Sequence, residues 1–222
     1  MLKKIAALAF VGLLASATAH ATSIGTVETF TLNVGGTCCG TDPNPFGTVT
    51  LTQTSATVVT VDESLASGID FVGTGAGNSL GFNLTGVTSP VIALTGSSVG
   101  KYTVGGSDMD SPFGTFNTNI SCIDPTVCHG GSTTYPGPLD FTITAATGID
   151  LTNFTFTHTT TYGNIYFVAD VIDNNIRSTP TGVVGAGPGS PTPGPTPEPS
   201  SLMLLGTGIV GAAGLLRRRF VA

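Results

Sequence analysis

The chain has 222 residues, of which only 9% are charged, with 31 Gly, 14 Pro, no Trp and a formal net charge of −6. Five of its seven basic residues lie at the two ends, so between them Lys101 and Arg177 stand against thirteen acidic residues, a formal −11. A surface of that sign repels phosphate backbones and excludes nucleic acid as a partner; it suits a soluble exported protein, or bridging to other anions by divalent cations.

Residues 1–21, "MLKKIAALAFVGLLASATAHA", begin with Lys3 and Lys4, continue with an apolar run from Ile5 to Leu14, and close on the small residues Ala19 and Ala21. This is the layout of a secretory signal peptide cut after Ala21, so the folded body is expected to begin at Thr22. Export would put Cys38, Cys39, Cys122 and Cys128 in an oxidising compartment, where pairing is the default fate. Cys122 and Cys128 enclose "IDPTV", in which Pro125 favours a turn, and a local disulfide is expected there. Adjacent Cys38 and Cys39 then pair with each other in a strained ring or stay free. One long-range bridge from each is disfavoured, because neighbouring side chains of a strand point to opposite faces.

Residues 22–186 are long enough for one domain with a real core. "VETFTLNV", "TVTLTQT", "LDFTITA" and "NFTFTH" alternate apolar residues with Thr, the period of half-buried strands whose solvated face is β-branched. "NIYFVADVI" is almost continuously apolar and reads as a central strand covered on both sides. Between these runs lie "GGTCCGTDPNPFG", "GTGAGNSLG", "GGSDMDSPFG" and "YPGPLD", rich in the residues that turns require. Eight to ten short strands with almost no helix predict an all-β fold, an antiparallel β-sandwich with a small β-barrel as the alternative.

Within this body the chemistry-bearing patterns are sparse. "GSSVG" at residues 96–100 matches the nucleophile-elbow pattern with Ser98 as its serine, but "KYTVGGSD" follows where the elbow needs a helix. "CIDPTVCH" has five residues between its cysteines where haem attachment needs two. A zinc set from the four cysteines and His129 would need reduced thiolates outside the cytoplasm. His158 continues the face of Phe154 and Phe156 and reads as a strand-edge or hydrogen-bonded histidine. Asp108 and Asp110, and Asp170 and Asp173, are spaced as calcium ligands can be, without the D-x-D-x-D-G register. Tyr135 is the obvious aromatic platform for a sugar, with Tyr102 and Tyr162 at strand ends. No catalytic residue, cofactor or metal is expected, Asp108 and Asp110 standing only as calcium candidates.

Residues 187–200, "GPGSPTPGPTPEPS", have no core residues and read as an extended Pro/Gly-rich spacer. The uncharged residues 201–216 would span roughly 24 Å as a helix against a hydrocarbon core of about 30 Å, short for a permanent anchor. Residues 217–222 begin with Arg217, Arg218 and Arg219, which would stay cytoplasmic and leave the body outside.

Pro197, Glu198 and Pro199, then the apolar run, then the arginine cluster resemble the PEP-CTERM sorting signal of exopolysaccharide-producing Gram-negative bacteria. "FGTVTLTQ", "FVGTGAGNSLGFNL", "SPFGTFNTNISC", "PGPLDFTIT" and "TGVVGA" are more loosely similar to the β-rich bodies of proteins tagged this way. The resemblance implies a recognition triplet at Pro197–Pro199, a transient span through the inner membrane and a retention stop at Arg217–Arg219. It also implies a partner, a membrane-embedded exosortase whose own cysteine cleaves near the triplet. The function expected is that of a non-enzymatic protein of the cell surface or exopolysaccharide matrix. The alternatives are a lectin-like, calcium-dependent polysaccharide-binding module and, behind it, an extracellular hydrolase using Ser98.

Overall fold

The computed structural model describes residues 24–36, 45–74, 78–124, 126–128, 133–176 and 181–192. The signal segment, Cys38, Cys39, His129, Arg177, the Pro-Glu-Pro triplet, the apolar tail and its arginines lie outside them. In chain order the strands begin with β1 (Val27–Gly35), β2 (Gly47–Ser55), β3 (Val58–Leu65), β4 (Ile69–Phe71), β5 (Leu80–Leu84) and β6 (Val91–Leu94). There follow β7 (Tyr102–Gly105), β8 (Asp108–Asp110), β9 (Gly114–Phe116), β10 (Thr118–Cys122), β11 (Leu139–Thr144) and β12 (Phe154–Thr155). The series ends with β13 (Thr157–Thr159), β14 (Gly163–Ile165), β15 (Phe167–Asp173), β16 (Thr181–Ala186) and β17 (Ser190–Thr192). Two single-turn 3-10 segments, Gly96–Ser98 and Leu151–Asn153, are the helical content among the described residues.

One antiparallel sheet runs β6-β11-β3-β2-β1-β16-β15-β5-β10-β7, with β12 beside β5, β17 beside β1 and β4 beside β15. Alternation sets its two faces. In β2 the side chains of Val49, Leu51 and Gln53 go inward and Thr48, Thr50 and Thr52 outward; in β11 Leu139, Phe141 and Ile143 go inward. The rings of Phe82 on β5 and Phe141 on β11 stack 5.8 Å apart at 22°, although five strands separate their strands along the sheet. That contact requires the sheet to curl until it is nearly closed as a barrel around Phe30, Phe82, Phe141, Phe154 and Phe167. The all-β antiparallel expectation therefore holds, and the closure follows its barrel alternative.

β15 is central as predicted, paired with β16, β5 and β4. Phe167, Ala169 and Val171 enter the barrel core, while Val168 joins a second core on the outer side with Phe113, Phe116, Ile165 and Val183.

Two segments depart from expectation. "GGSDMDSPFG", whose composition predicts a turn, holds β8 and the turn into β9, because Phe113 and the following Phe116 find an apolar surface to cover. The spacer expected from residue 187 begins with a paired strand, since Ser190–Thr192 lies along Val27–Thr29. The described strands exceed the eight to ten expected because short pairings of two to four residues, such as β4, β8, β9, β12, β13, β14 and β17, stand beside the longer strands.

Candidate functional site

The β8–β9 hairpin lies over the outer face of β5, β15 and β16. Phe113 at its tip comes so close to Gly185 that a Cβ there would stand 3.1 Å from the ring. Beneath the hairpin Asp110 is fully buried. Its Oδ1 accepts hydrogen bonds from the Asn78 backbone N–H (2.7 Å) and Nδ2 (3.1 Å), and the same Nδ2 reaches Asp108 Oδ2 at 3.3 Å. Ser121 Oγ in turn donates to Asn78 Oδ1 (2.6 Å). The Asn78 carbonyl accepts the Asp170 N–H (2.8 Å), and Asp170 Oδ2 accepts from the Thr74 N–H (3.0 Å) and Oγ1 (2.7 Å).

Asn78 thus ties Asp110 of the hairpin to Asp170 of the barrel wall. Burial pushes Asp110 up to about 6 against the opposing bonds from Asn78, with Asp108 and Asp170 adding to the rise. Burial likewise pushes Asp170 up to about 6 against its bonds from Thr74. Gly81 is required here, since a Cβ would meet Asp110 Oδ2 at 2.6 Å and Val168 at 2.8 Å.

Of the four aspartates singled out by spacing, the structure brings together Asp108, Asp110 and Asp170 around Asn78. It leaves Asp173 at the far end of β15, paired with Ile69, where its Oδ1 accepts the Asn175 N–H at 2.8 Å. Among the described residues no three His, Cys, Asp or Glu side chains form a metal-binding group. The signal that marks Asp170 in the sequence is its place inside the apolar run of β15.

Ser98 is fully buried in the 3-10 turn between β6 and β7, with a strand after it instead of a helix. Its Oγ accepts the Asp140 N–H (2.8 Å) and donates to the Pro138 carbonyl (3.4 Å), a structural clasp of β11. His158 is exposed on the β13–β14 hairpin, with Nδ1 2.8 Å from Asn164 Oδ1. Phe154 is buried, whereas Phe156 is 45% exposed against Tyr166, so the expected common face breaks between them. Tyr135 donates to Ser97 Oγ (2.9 Å) and carries the Lys101 ammonium 4.1 Å over its ring, which covers one of its two faces. Cys122 and Cys128 are disulfide-bonded as expected, their Cα atoms 5.9 Å apart.

Glu63 was not singled out from the sequence. It continues the inward face of Val59 and Val61, is fully buried with neither carboxylate oxygen hydrogen-bonded, and is pushed well above the carboxylate range by burial and by Asp62. Its neighbour Tyr102 is also buried, and its phenol is raised by burial and by Glu63.

On the opposite flank of the hairpin lies a groove of about 700 Å³. Thr31 and Asn33 on the outer face of β1, Tyr162 and Asn164 on the β13–β14 hairpin, and Pro188 and Ser190 line it, and none of its lining residues is charged. The Tyr162 ring is fixed edge-on against Phe113, centroids 4.9 Å apart.

Residues 195–219 match the family model of the PEP-CTERM protein-sorting motif. The chain carries a PEP-CTERM sorting motif. The match spans the triplet Pro197–Pro199 and the cluster Arg217–Arg219 on which the resemblance rested. Neither the curated proteins nor the solved structures hold a match to the chain. The PEP-CTERM motif makes the chain an exported substrate of an exosortase, sorted to the cell surface or exterior of a Gram-negative bacterium. No described helix is long and apolar enough to cross a membrane, and the span expected at residues 201–216 lies outside the described residues.

Proposed function

We propose that the β body is a non-enzymatic component of the cell surface or exopolysaccharide matrix, delivered there by exosortase cleavage near Pro197–Pro199. The PEP-CTERM match carries this reading. Two further observations support it: the one nucleophile-elbow serine is buried as a clasp, and the body's only described Lys or Arg side chain sits on a tyrosine ring. Enzymatic digestion of the exopolysaccharide around intact cells tests it. Release of the chain with the polysaccharide is the expected result; a chain that stays with the washed cells contradicts a matrix role.

A second reading, a polysaccharide-binding module, is favoured by the uncharged groove at Asn33 and Tyr162. Amide and hydroxyl groups with one fixed ring are the chemistry that recognises a neutral sugar chain. The groove offers a second aromatic position beside Tyr135, whose ring already carries Lys101 on one face. Affinity electrophoresis in the host's own exopolysaccharide is expected to show retardation that Tyr162→Ala weakens by about tenfold, some 1.4 kcal/mol. Equal retardation of wild type and Tyr162→Ala would remove the groove from consideration.

A further inference from the structure

Three buried oxygens around Asn78 have no hydrogen-bond partner: Ser79 Oγ, Asp110 Oδ2 and Asp170 Oδ1. Asp110 and Asp170 are fully buried and Ser79 is 2% exposed. Buried polar atoms in folded proteins are almost always satisfied, and a buried carboxylate without a counter-charge costs several kcal/mol. Asp108 and Asp170 both act on Asp110 as like charges, so two such carboxylates lie within electrostatic reach of each other. Lys101, the single Lys or Arg among the described residues, is engaged elsewhere, on Tyr135 and the Ser97 carbonyl. Among the described residues no Lys or Arg side chain is left to neutralise this pair, a task open to a proton or to a cation that the site holds.

The donor set favours the cation. Every unpartnered atom is an oxygen, and the three come from separate elements: the segment entering β5, the β8 strand of the hairpin, and β15 of the barrel wall. Each carboxylate is held by its other oxygen, Asp110 by Asn78 and Asp170 by Thr74, so the free oxygen of each is pre-positioned. Gly81, where a Cβ would meet Asp110 Oδ2 at 2.6 Å, lets that oxygen approach the β5 backbone two residues from Ser79. Oxygen-only ligation from irregularly disposed carboxylate and hydroxyl groups suits calcium, which tolerates variable geometry; magnesium demands a near-ideal octahedron.

We infer that Ser79 Oγ, Asp110 Oδ2 and Asp170 Oδ1 are ligands of one calcium ion that clamps the β8–β9 hairpin to the barrel wall. Asp108 lies beside this set without belonging to it, since it caps the Met109 N–H (2.8 Å) and is exposed. Only two carboxylates contribute, which places the affinity in the class of extracellular calcium modules, about 10⁻⁴–10⁻³ M. The clamp is independent of polysaccharide binding: it fixes the hairpin whose Phe113 supports Tyr162, and it stands or falls without the groove.

The full chain, stripped with a chelator at about pH 8 so that carboxyls titrating near 6 are ionised, is titrated with calcium chloride by calorimetry and by thermal unfolding. The expected result is one calcium per chain, a melting temperature that climbs with calcium, and affinity lowered about 10–100-fold in Asp110→Asn and in Asp170→Asn. Asp108→Asn is expected to keep the site. In chelator, Asp110→Asn is expected to melt no lower than wild type, because the substitution removes a buried repulsion and keeps the acceptor for Asn78. Should that variant fail to fold, Ser79→Ala, which touches none of the Asn78 hydrogen bonds, is expected to weaken calcium binding in its place. The inference is overturned by a melting temperature indifferent to calcium, or by binding that survives both aspartate substitutions unchanged.

Discussion

Closure of the sheet rests on contacts such as that between Phe82 and Phe141, and it can be tested without another structure. Both rings are fully buried, and their strands lie on opposite sides of the barrel. Replacing either by Leu removes three carbons from the core; at about 0.8 kcal/mol per buried CH₂ each single substitution is expected to cost roughly 2 kcal/mol. For a domain of this size that is a fall of about 4–8 °C in melting temperature. The stacked pair at 5.8 Å should itself be worth about 0.5–1.5 kcal/mol, so the double variant is expected to lose less than the sum of the singles by that amount. Urea unfolding followed by far-ultraviolet circular dichroism, with an unchanged denaturant slope, measures the four corners of the cycle. In a sheet that did not curl, the two positions would lie far apart and their losses would add to within about 0.3–0.5 kcal/mol. Additivity of that quality would refute the closure.

Two further outcomes follow from side-chain geometry. Ser98→Ala removes the clasp on Asp140 N–H and leaves that donor buried; a loss of about 1–3 kcal/mol in urea unfolding is expected, and an unaltered midpoint would show that the clasp is unimportant. The pH dependence in chelator should run opposite to ordinary acid denaturation. Asp110, Asp170 and Asp140 sit near 6 in the folded chain against an ordinary 3.8, so their stabilising contribution is complete below the ordinary value and is lost as pH climbs through about 6; burial raises Glu63 in the same direction. Asp124, lowered by its bonds from Thr126, acts in the other direction and only in the acid range. The melting temperature is therefore expected to be higher at about pH 5 than at about pH 7.5, with the difference reduced in Asp110→Asn/Asp170→Asn; a curve rising toward neutral pH would contradict the burial of these groups.

The strands that the sequence made legible are those whose faces differ chemically. Thr48, Thr50 and Thr52 against Val49 and Leu51 fix both the strand and its orientation, and the almost continuously apolar run of β15 announces a strand covered twice. Glu63 was equally readable from the phase of Val59 and Val61, and only its charge argued against placing it inside. The β8–β9 hairpin was not legible, because its Gly, Ser, Asp and Pro describe a turn, and its strand character comes from what Phe113 and Phe116 meet in the folded state. The same holds for the acidic site: Asp110 and Asp170 become neighbours through Asn78, a relation among distant parts of the chain that no local spacing records. The sorting motif is the opposite case. It is a linear tag, so triplet, apolar run and arginines carry it without reference to any fold.

Delivery of the β body to the surface depends on that tag being cut. The most direct test is the intact mass of the chain recovered from its native host, with and without the exosortase. Chains beginning near Thr22 and ending near Pro197–Pro199 only when the enzyme is present are the predicted result. Chains that keep Arg217–Arg219 in both strains would contradict processing and make the tail a plain anchor.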